Sequence, residues 1–394
     1  MSSQRTPKPV RSYHLIALVL LAAFFAQCAW FVASVPLTQL EADQVLRGVA
    51  LLHSLPRHLP LAAETAASPL VPLLSVAGLV FALPHHPLRL DPIWLDQHRW
   101  FIRAPFLLAG LALALSLWYV ARRLYGNAGG HIALALFAFS PGMVACSSLA
   151  GPQIFAAWGA FGLIFTAIAT AHTLYAPREV IFWNWRRIVL LGVAITFAVG
   201  AQWPLLWLLV PAAAFMLWAV PHRRLAALLI LFAAAIVALL LLDVCYRADL
   251  RRLVHGLAQA GWISWEPQSL SLRLLGRILA SFFLDAAPAS LLAGVCAFAA
   301  WCASRRSRFF GNSAPLIVFI VLLAMSILFP QNGASAILFA TLPFLLLFIA
   351  GVFADLIEGR LQAPALAFIF AVIAAQAAYS IASLVRMYSR PLGA

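Results

Sequence analysis

The chain has 394 residues, 64% of them hydrophobic and only 10% charged, with a mean hydropathy of +0.97. A soluble domain keeps about a quarter of its residues charged, so a soluble globular enzyme, a Rossmann domain and a disordered tail are excluded. The net charge of +14 does not point to nucleic acid, because the arginines fall singly and in pairs between apolar runs rather than in one basic patch.

A helix needs about 20 apolar residues to cross bilayer hydrocarbon. Such runs occur at 15–35, 104–120, 131–146, 154–174, 188–203, 205–220, 225–244, 278–302, 315–329, 337–354 and 365–385. The expected fold class is therefore all-α, a polytopic membrane helix bundle of about eleven transmembrane helices. The segment 69–83 reads as a short or re-entrant addition, and Trp203-Pro204 as a tight turn between two runs. The first run is too long for a cleaved signal peptide and reads as an anchor. Cys28, Cys146, Cys245, Cys296 and Cys302 lie in or beside apolar runs without CxxC spacing, and read as small core side chains.

Arginine in the short loops sets the orientation. With Arg5, Lys8 and Arg11 in the cytoplasm, the short loops on the same side carry Arg122-Arg123, Arg178 with Arg186-Arg187, Arg223-Arg224, Arg305-Arg306 with Arg308, and Arg360. The opposite short loops carry none. Glu179, Asp355 and Glu358 fall inside; Glu41, Asp43, Glu64, Asp91, Asp96, Asp243, Asp249, Glu266 and Asp285 gather toward the outer face. The plain reason is that the two long, polar loops lie there. The expected location is the inner (plasma) membrane, N-terminus cytoplasmic, with the long loops and C-terminus outside.

The first long loop, 36–103, contains an amphipathic pattern over 41–55, apolar at Val45, Val49 and Leu52, that predicts a helix lying on the membrane surface. Pro56 and Pro60 end it. The second, 246–277, is also helical in pattern, with Arg251 and Arg252 and an interfacial Trp262 and Trp265.

Several short motifs occur in a fixed order. Leu40-Glu41-Ala42-Asp43 follows the first run, Ser68-Pro69-Leu70 opens the short apolar segment, and Arg103-Ala104-Pro105 opens the second run. That run ends in Ala121-Arg122-Arg123-Leu124-Tyr125-Gly126, and the next in Ser140-Pro141-Gly142 followed by Ser147-Ser148-Leu149-Ala150. Over about residues 37–170 this order resembles the GT-C glycosyltransferases that use polyprenyl-phosphate sugars, in the protein mannosyltransferase and lipid A aminoarabinose transferase branch. Three positions depart from the family pattern. Its first acid falls at Leu40, a second carboxylate is replaced by Gln153, and an arginine just before that is Ser148.

The resemblance implies one GT-C-like transmembrane domain over 1–394; the soluble outer domain that often follows the last span in the family is not expected, because only 386–394 lie beyond that span. It implies transfer of a sugar, with inversion, from a polyprenyl phosphate to a glycan, lipid or protein acceptor at the outer face. Such transfer needs a base, groups that stabilise the leaving phosphate, and an apolar groove. Asp43 and Glu41 are the candidate bases, at the mouth of the first run. Their alternative role is to complement the positive end of a helix. Arg103 is the phosphate candidate, against a headgroup-snorkelling alternative; Gln153 and Asp285 are further substrate-binding candidates. No cofactor and no metal are expected: His85, His86, Asp91, Asp96 and His98 cluster without ligand spacing. A non-catalytic GT-C-like partner or lipid-binding scaffold is the competing reading, favoured by Leu40 and Gln153. A transporter or flippase comes third, since no inverted repeat or midplane charge supports it. A protein partner remains open, and nucleic acid is not expected.

Overall fold

The computed structural model describes residues 11–53, 70–80, 91–175, 185–245, 272–304, 309–328, 334–359 and 362–389. Among the described residues all regular structure is helical. The elements are α1 (Arg11–Ser34), α2 (Gln39–His53), α3 (Leu70–Val80), α4 (Pro92–Gln97), α5 (Arg99–Ala138), α6 (Pro141–Ser148), α7 (Gln153–Tyr175) and α8 (Trp185–Ala201). After a 3₁₀ turn (Trp203–Leu208) come α9 (Leu209–Ala219), α10 (Arg224–Cys245), α11 (Leu272–Ala286), α12 (Pro288–Ala303), α13 (Phe310–Leu328), α14 (Ala334–Glu358) and α15 (Gln362–Ser389).

Seven described helices are long and apolar enough to cross a membrane, or eight if one bent pair counts as a span. The chain is a multi-pass membrane protein, and the expected count of eleven is not confirmed. The expected span 104–120 lies within α5, 131–146 is divided between the end of α5 and α6, and the runs at 188–203 and 205–220 form shorter helices.

Inside α5 the backbone leaves the helix at Gly126, with φ 74° and ψ −171°, a region open almost only to glycine. A Cβ on Gly129 would meet the Tyr125 side chain, and one on Gly130 that of Arg122. The two limbs therefore fold back as a hairpin. Its second limb runs beside α1: His131 accompanies Tyr13, Phe137 packs on Phe24, and Gln27 donates to the Ala138 carbonyl at 2.9 Å. A Cβ at Gly126 would touch nothing within 4 Å, so replacing this glycine acts on the backbone alone. Gly126→Ala is expected to cost ~1–3 kcal/mol, read as a lower Tm in detergent; an unchanged Tm would show that the turn is not under this constraint.

The most enclosed helix is α14, buried along nearly its whole length. Phe344 on it packs against Phe161 and Phe165 of α7. By contrast α10 turns Leu228, Leu229, Phe232, Ile236 and Leu240 outward, as a helix facing lipid does.

The helix expected at 41–55 is present as α2, starting two residues earlier at Gln39. It packs on α3, where a Cβ on Gly48 would run into the Pro72 carbonyl, and α3 packs in turn on the start of α5, where Gly78 abuts the Phe101 carbonyl. The helix α3 is 11 residues long, about 16 Å, too short to span. The 278–302 run, expected as one span, is broken: the helices on either side of Ala287 bend by 111°. Residues 246–271 of the second long loop, with Arg251, Arg252, Trp262 and Trp265, lie outside the described residues, as do His85, His86 and Ser68-Pro69, while 272–277 begin α11.

Candidate functional site

The sequence Thr38-Gln39-Leu40-Glu41 places a threonine before a helix and a glutamate three residues on, the pattern of a capping box. The structure forms it. The Glu41 amide donates to Thr38 Oγ1 at 3.3 Å, while Glu41 Oε2 accepts from the Thr38 amide at 2.9 Å and its hydroxyl at 3.0 Å.

That carboxylate also meets Arg103. Nε donates to Glu41 Oε1 at 2.8 Å and Nη2 to Oε2 at 2.7 Å, a two-pronged ion pair. Its side chains are 0% and 3% exposed. Arg103 also donates from Nη1 to the Val35 carbonyl at 2.7 Å and from Nη2 to that of Pro36 at 2.9 Å. The Ala150 amide donates to Glu41 Oε1 at 2.8 Å. One buried pair thus ties together the end of α1, the start of α2, the first turn of α5 and the α6–α7 connection. Burial by itself raises the Glu41 pKa. The hydrogen bonds and charge of Arg103, with the Ala150 and Thr38 amides, outweigh it and hold the carboxyl below its ordinary value.

Asp43 has a different setting. Two helical residues are ~200° apart around the axis, so it leaves the buried face of Glu41, Val45, Gly48 and Val49. It shares the other face with Leu40, 77% exposed, and Leu46. Asp43 is half-buried and has no hydrogen bond or ion pair among the described residues.

Gln153 opens α7, three residues past the anchored Ala150, with its side chain folded over Gly151. Asp285 is exposed, one residue before the end of α11. The α11–α12 break rests on α6, where Ser140 Oγ donates to the Ala286 carbonyl at 2.9 Å. Asp91 caps α4, accepting from the Trp94 amide. Asp96 accepts from the Leu37 amide at 2.7 Å and pairs with Arg99 at 3.2 Å. These two acids hold the local chain. Sequence reasoning missed Thr38, Asp96 and the Ala150 amide as organisers of the site. Only the Thr38–Glu41 spacing carried a signal.

A family model described as dolichyl-phosphate-mannose-protein mannosyltransferase matches residues 93–246, which takes in Arg103 and Gln153 but not Glu41 or Asp43. No curated protein matches the chain. Among solved structures, the Archaeoglobus fulgidus oligosaccharyltransferase in complex with zinc and sulfate aligns over 95% of this chain and 53% of its own, at TM-score 0.56 and 16% identity. The chain has the GT-C fold. Archaeal AglB from the same organism, in complex with an inhibitory peptide and a dolichol-phosphate, shares this GT-C architecture over 94% of the chain and 56% of its own, at TM-score 0.56 and 14% identity. The apo form does so over 95% and 56%, at TM-score 0.58 and 14% identity. The chain thus spans little more than half the length of these GT-C structures.

The Glu41 carboxylate is not free to ligate a divalent cation. Both Glu41 oxygens are filled by N–H and O–H donors, position 153 offers an amide, and no three His, Cys, Asp or Glu side chains gather among the described residues.

Proposed function

We propose that the protein is a membrane glycosyltransferase that moves a sugar from a polyprenyl phosphate to an acceptor hydroxyl or amine at the outer face, with inversion. The observation that carries this reading is the contrast between two acids on one surface helix of a GT-C fold. Glu41 is consumed by structural bonds, and Asp43, two residues on, has no partner among the described residues. In this reading Asp43 takes the acceptor proton as the acceptor attacks the anomeric carbon. The bond from that carbon to the phosphate oxygen breaks, and the phosphate leaves with the electron pair. Glu41 and Arg103 act by fixing α2, and so Asp43, against α5. Since Arg103 is engaged by Glu41 and two carbonyls, the phosphate falls to other groups; the Gln153 amide at the start of α7 and the positive end of that helix are assigned to it. Asp285 is assigned to the acceptor side.

The orientation follows the arginine bias, with the Asp43 end outside the cytoplasmic (inner) membrane. The acceptor is a glycan, lipid or protein, and no resident cofactor is invoked.

A second reading, a non-catalytic GT-C protein that binds polyprenyl lipid or a partner, is favoured by one observation: the buried arginine is neutralised by its own glutamate. Native mass spectrometry of the detergent-purified chain separates lipid users from the rest. Co-purified polyprenyl phosphate or its glycosylated form, weakened in Gln153→Ala, is the expected result. Ordinary phospholipid alone, even after polyprenyl phosphate is added, would overturn the donor assignment.

A further inference from the structure

The break between α11 and α12 lies in a closed circuit of buried polar contacts. A continuous helix here would pair the Ala289 amide with the Asp285 carbonyl and the Ser290 amide with that of Ala286. Neither bond forms. Both amides instead donate to a single acceptor, Gln376 Oε1 on α15, at 3.1 and 3.2 Å. The orphaned Ala286 carbonyl accepts from Ser140 Oγ at 2.9 Å. Pro288 has no amide to satisfy, and the Leu291 amide already bonds the Ala287 carbonyl at 3.0 Å. Every backbone donor freed at the start of α12 is therefore accounted for. The circuit closes through α15 and α1: Ser380, one turn from Gln376, donates to Gln27 Oε1 at 2.7 Å, and Gln27 Nε2 donates to the Ala138 carbonyl at 2.9 Å, two residues before Ser140. Gln376, Ser290 and Ser140 are wholly buried.

We infer that Gln376 and Ser140 are positioning residues that hold the α11–α12 segment in its broken form and so fix where α11 carries Asp285. Inside a membrane bundle an unpaired backbone amide or carbonyl costs free energy, so an apolar residue at either position favours re-forming the two lost helical bonds. Only the kink intrinsic to Pro288 then remains. Because α6 is gripped by Ala286 at its first turn and leads directly to the Ala150 amide on Glu41, the same circuit sets α11 against the Glu41–Arg103 node. The bearing of Asp285 on catalysis rests on the function proposed above; the geometry of α11 does not.

Distances between spin labels test this in the full-length protein in lipid nanodiscs, with Cys245, Cys296 and Cys302 replaced by serine. Gly276 is exposed and a Cβ there would meet nothing within 4 Å. It lies about 16 Å from the break along α11, so a tilt of a few tens of degrees moves it by roughly 5–10 Å. Labels at Gly276→Cys and Trp100→Cys report α11; a second pair at Trp100→Cys and Trp218→Cys reports the rest of the bundle. Adding Gln376→Leu or Ser140→Ala is expected to shift or broaden the first distance by at least ~5 Å and leave the second unchanged. Gln376→Glu, which keeps an acceptor oxygen, is expected to restore the original distance. An unchanged first distance in both variants, or equal broadening of both pairs, would overturn the assignment.

Discussion

Asp43→Asn is expected to reduce sugar transfer by roughly 10²–10⁴-fold while the purified protein keeps its wild-type Tm. The physical case is that asparagine matches the volume of aspartate and cannot accept the acceptor proton. Because Asp43 makes no bond among the described residues, its replacement breaks no structural contact among them. The assay is complementation in a cell whose glycan phenotype depends on this gene, with the membrane content of the variant checked by blot. Full complementation at wild-type abundance would remove Asp43 as the base and favour the lipid-binding reading. Glu41→Gln in the same assay separates the two acids, because its loss of function would be accompanied by loss of protein.

The second large effect concerns Arg103. Taking one partner from a buried, hydrogen-bonded ion pair strands the other charge and costs about 3–5 kcal/mol. Arg103→Met therefore lowers Tm sharply and reduces yield from the membrane. The double variant Glu41→Leu with Arg103→Met recovers only part of the loss, because the Val35 and Pro36 carbonyls and the Thr38 and Ala150 amides lose their partners as well. The pair also has a pH signature. The Glu41 carboxyl titrates lower in the folded chain than in the unfolded one, so its stabilisation is complete above the ordinary carboxylate range. It disappears as pH falls through the lower, folded value. Wild-type Tm should drop in acid below about pH 4, and the double variant should drop less. An Arg103→Met protein with normal Tm that no longer retains polyprenyl phosphate would instead make Arg103 a ligand group.

Hydropathy made much of the bundle legible, since one helix needs only its own residues to be recognised. The motif ending in Tyr125-Gly126 marked the end of a span, and the structure gives the reason: a backbone conformation open to glycine. The break at Ala287 was not legible. Pro288 sits in an apolar run that continues on both sides, and what opens the helix there is a glutamine some ninety positions later. The same holds for the site. The Thr38–Glu41 cap is a local pattern and can be read from spacing, whereas the pairing of Glu41 with Arg103 joins residues 62 apart. Sequence alone left Glu41 and Asp43 equivalent; burial and hydrogen-bond saturation distinguish them.

The long reach of the Glu41–Arg103 pair bears on biogenesis. The guanidinium needs carbonyls at 35 and 36 and a carboxylate at 41, and that carboxylate is satisfied only when the amide of residue 150 arrives. While the ribosome is still delivering the third hydrophobic stretch, both charges must stay hydrated at the membrane boundary, because burying either alone is costly. The node therefore closes only once residue 150 has been made. Nascent chains truncated before residue 150 should present an unsealed, protease-accessible surface helix, and those extended past α7 a protected one.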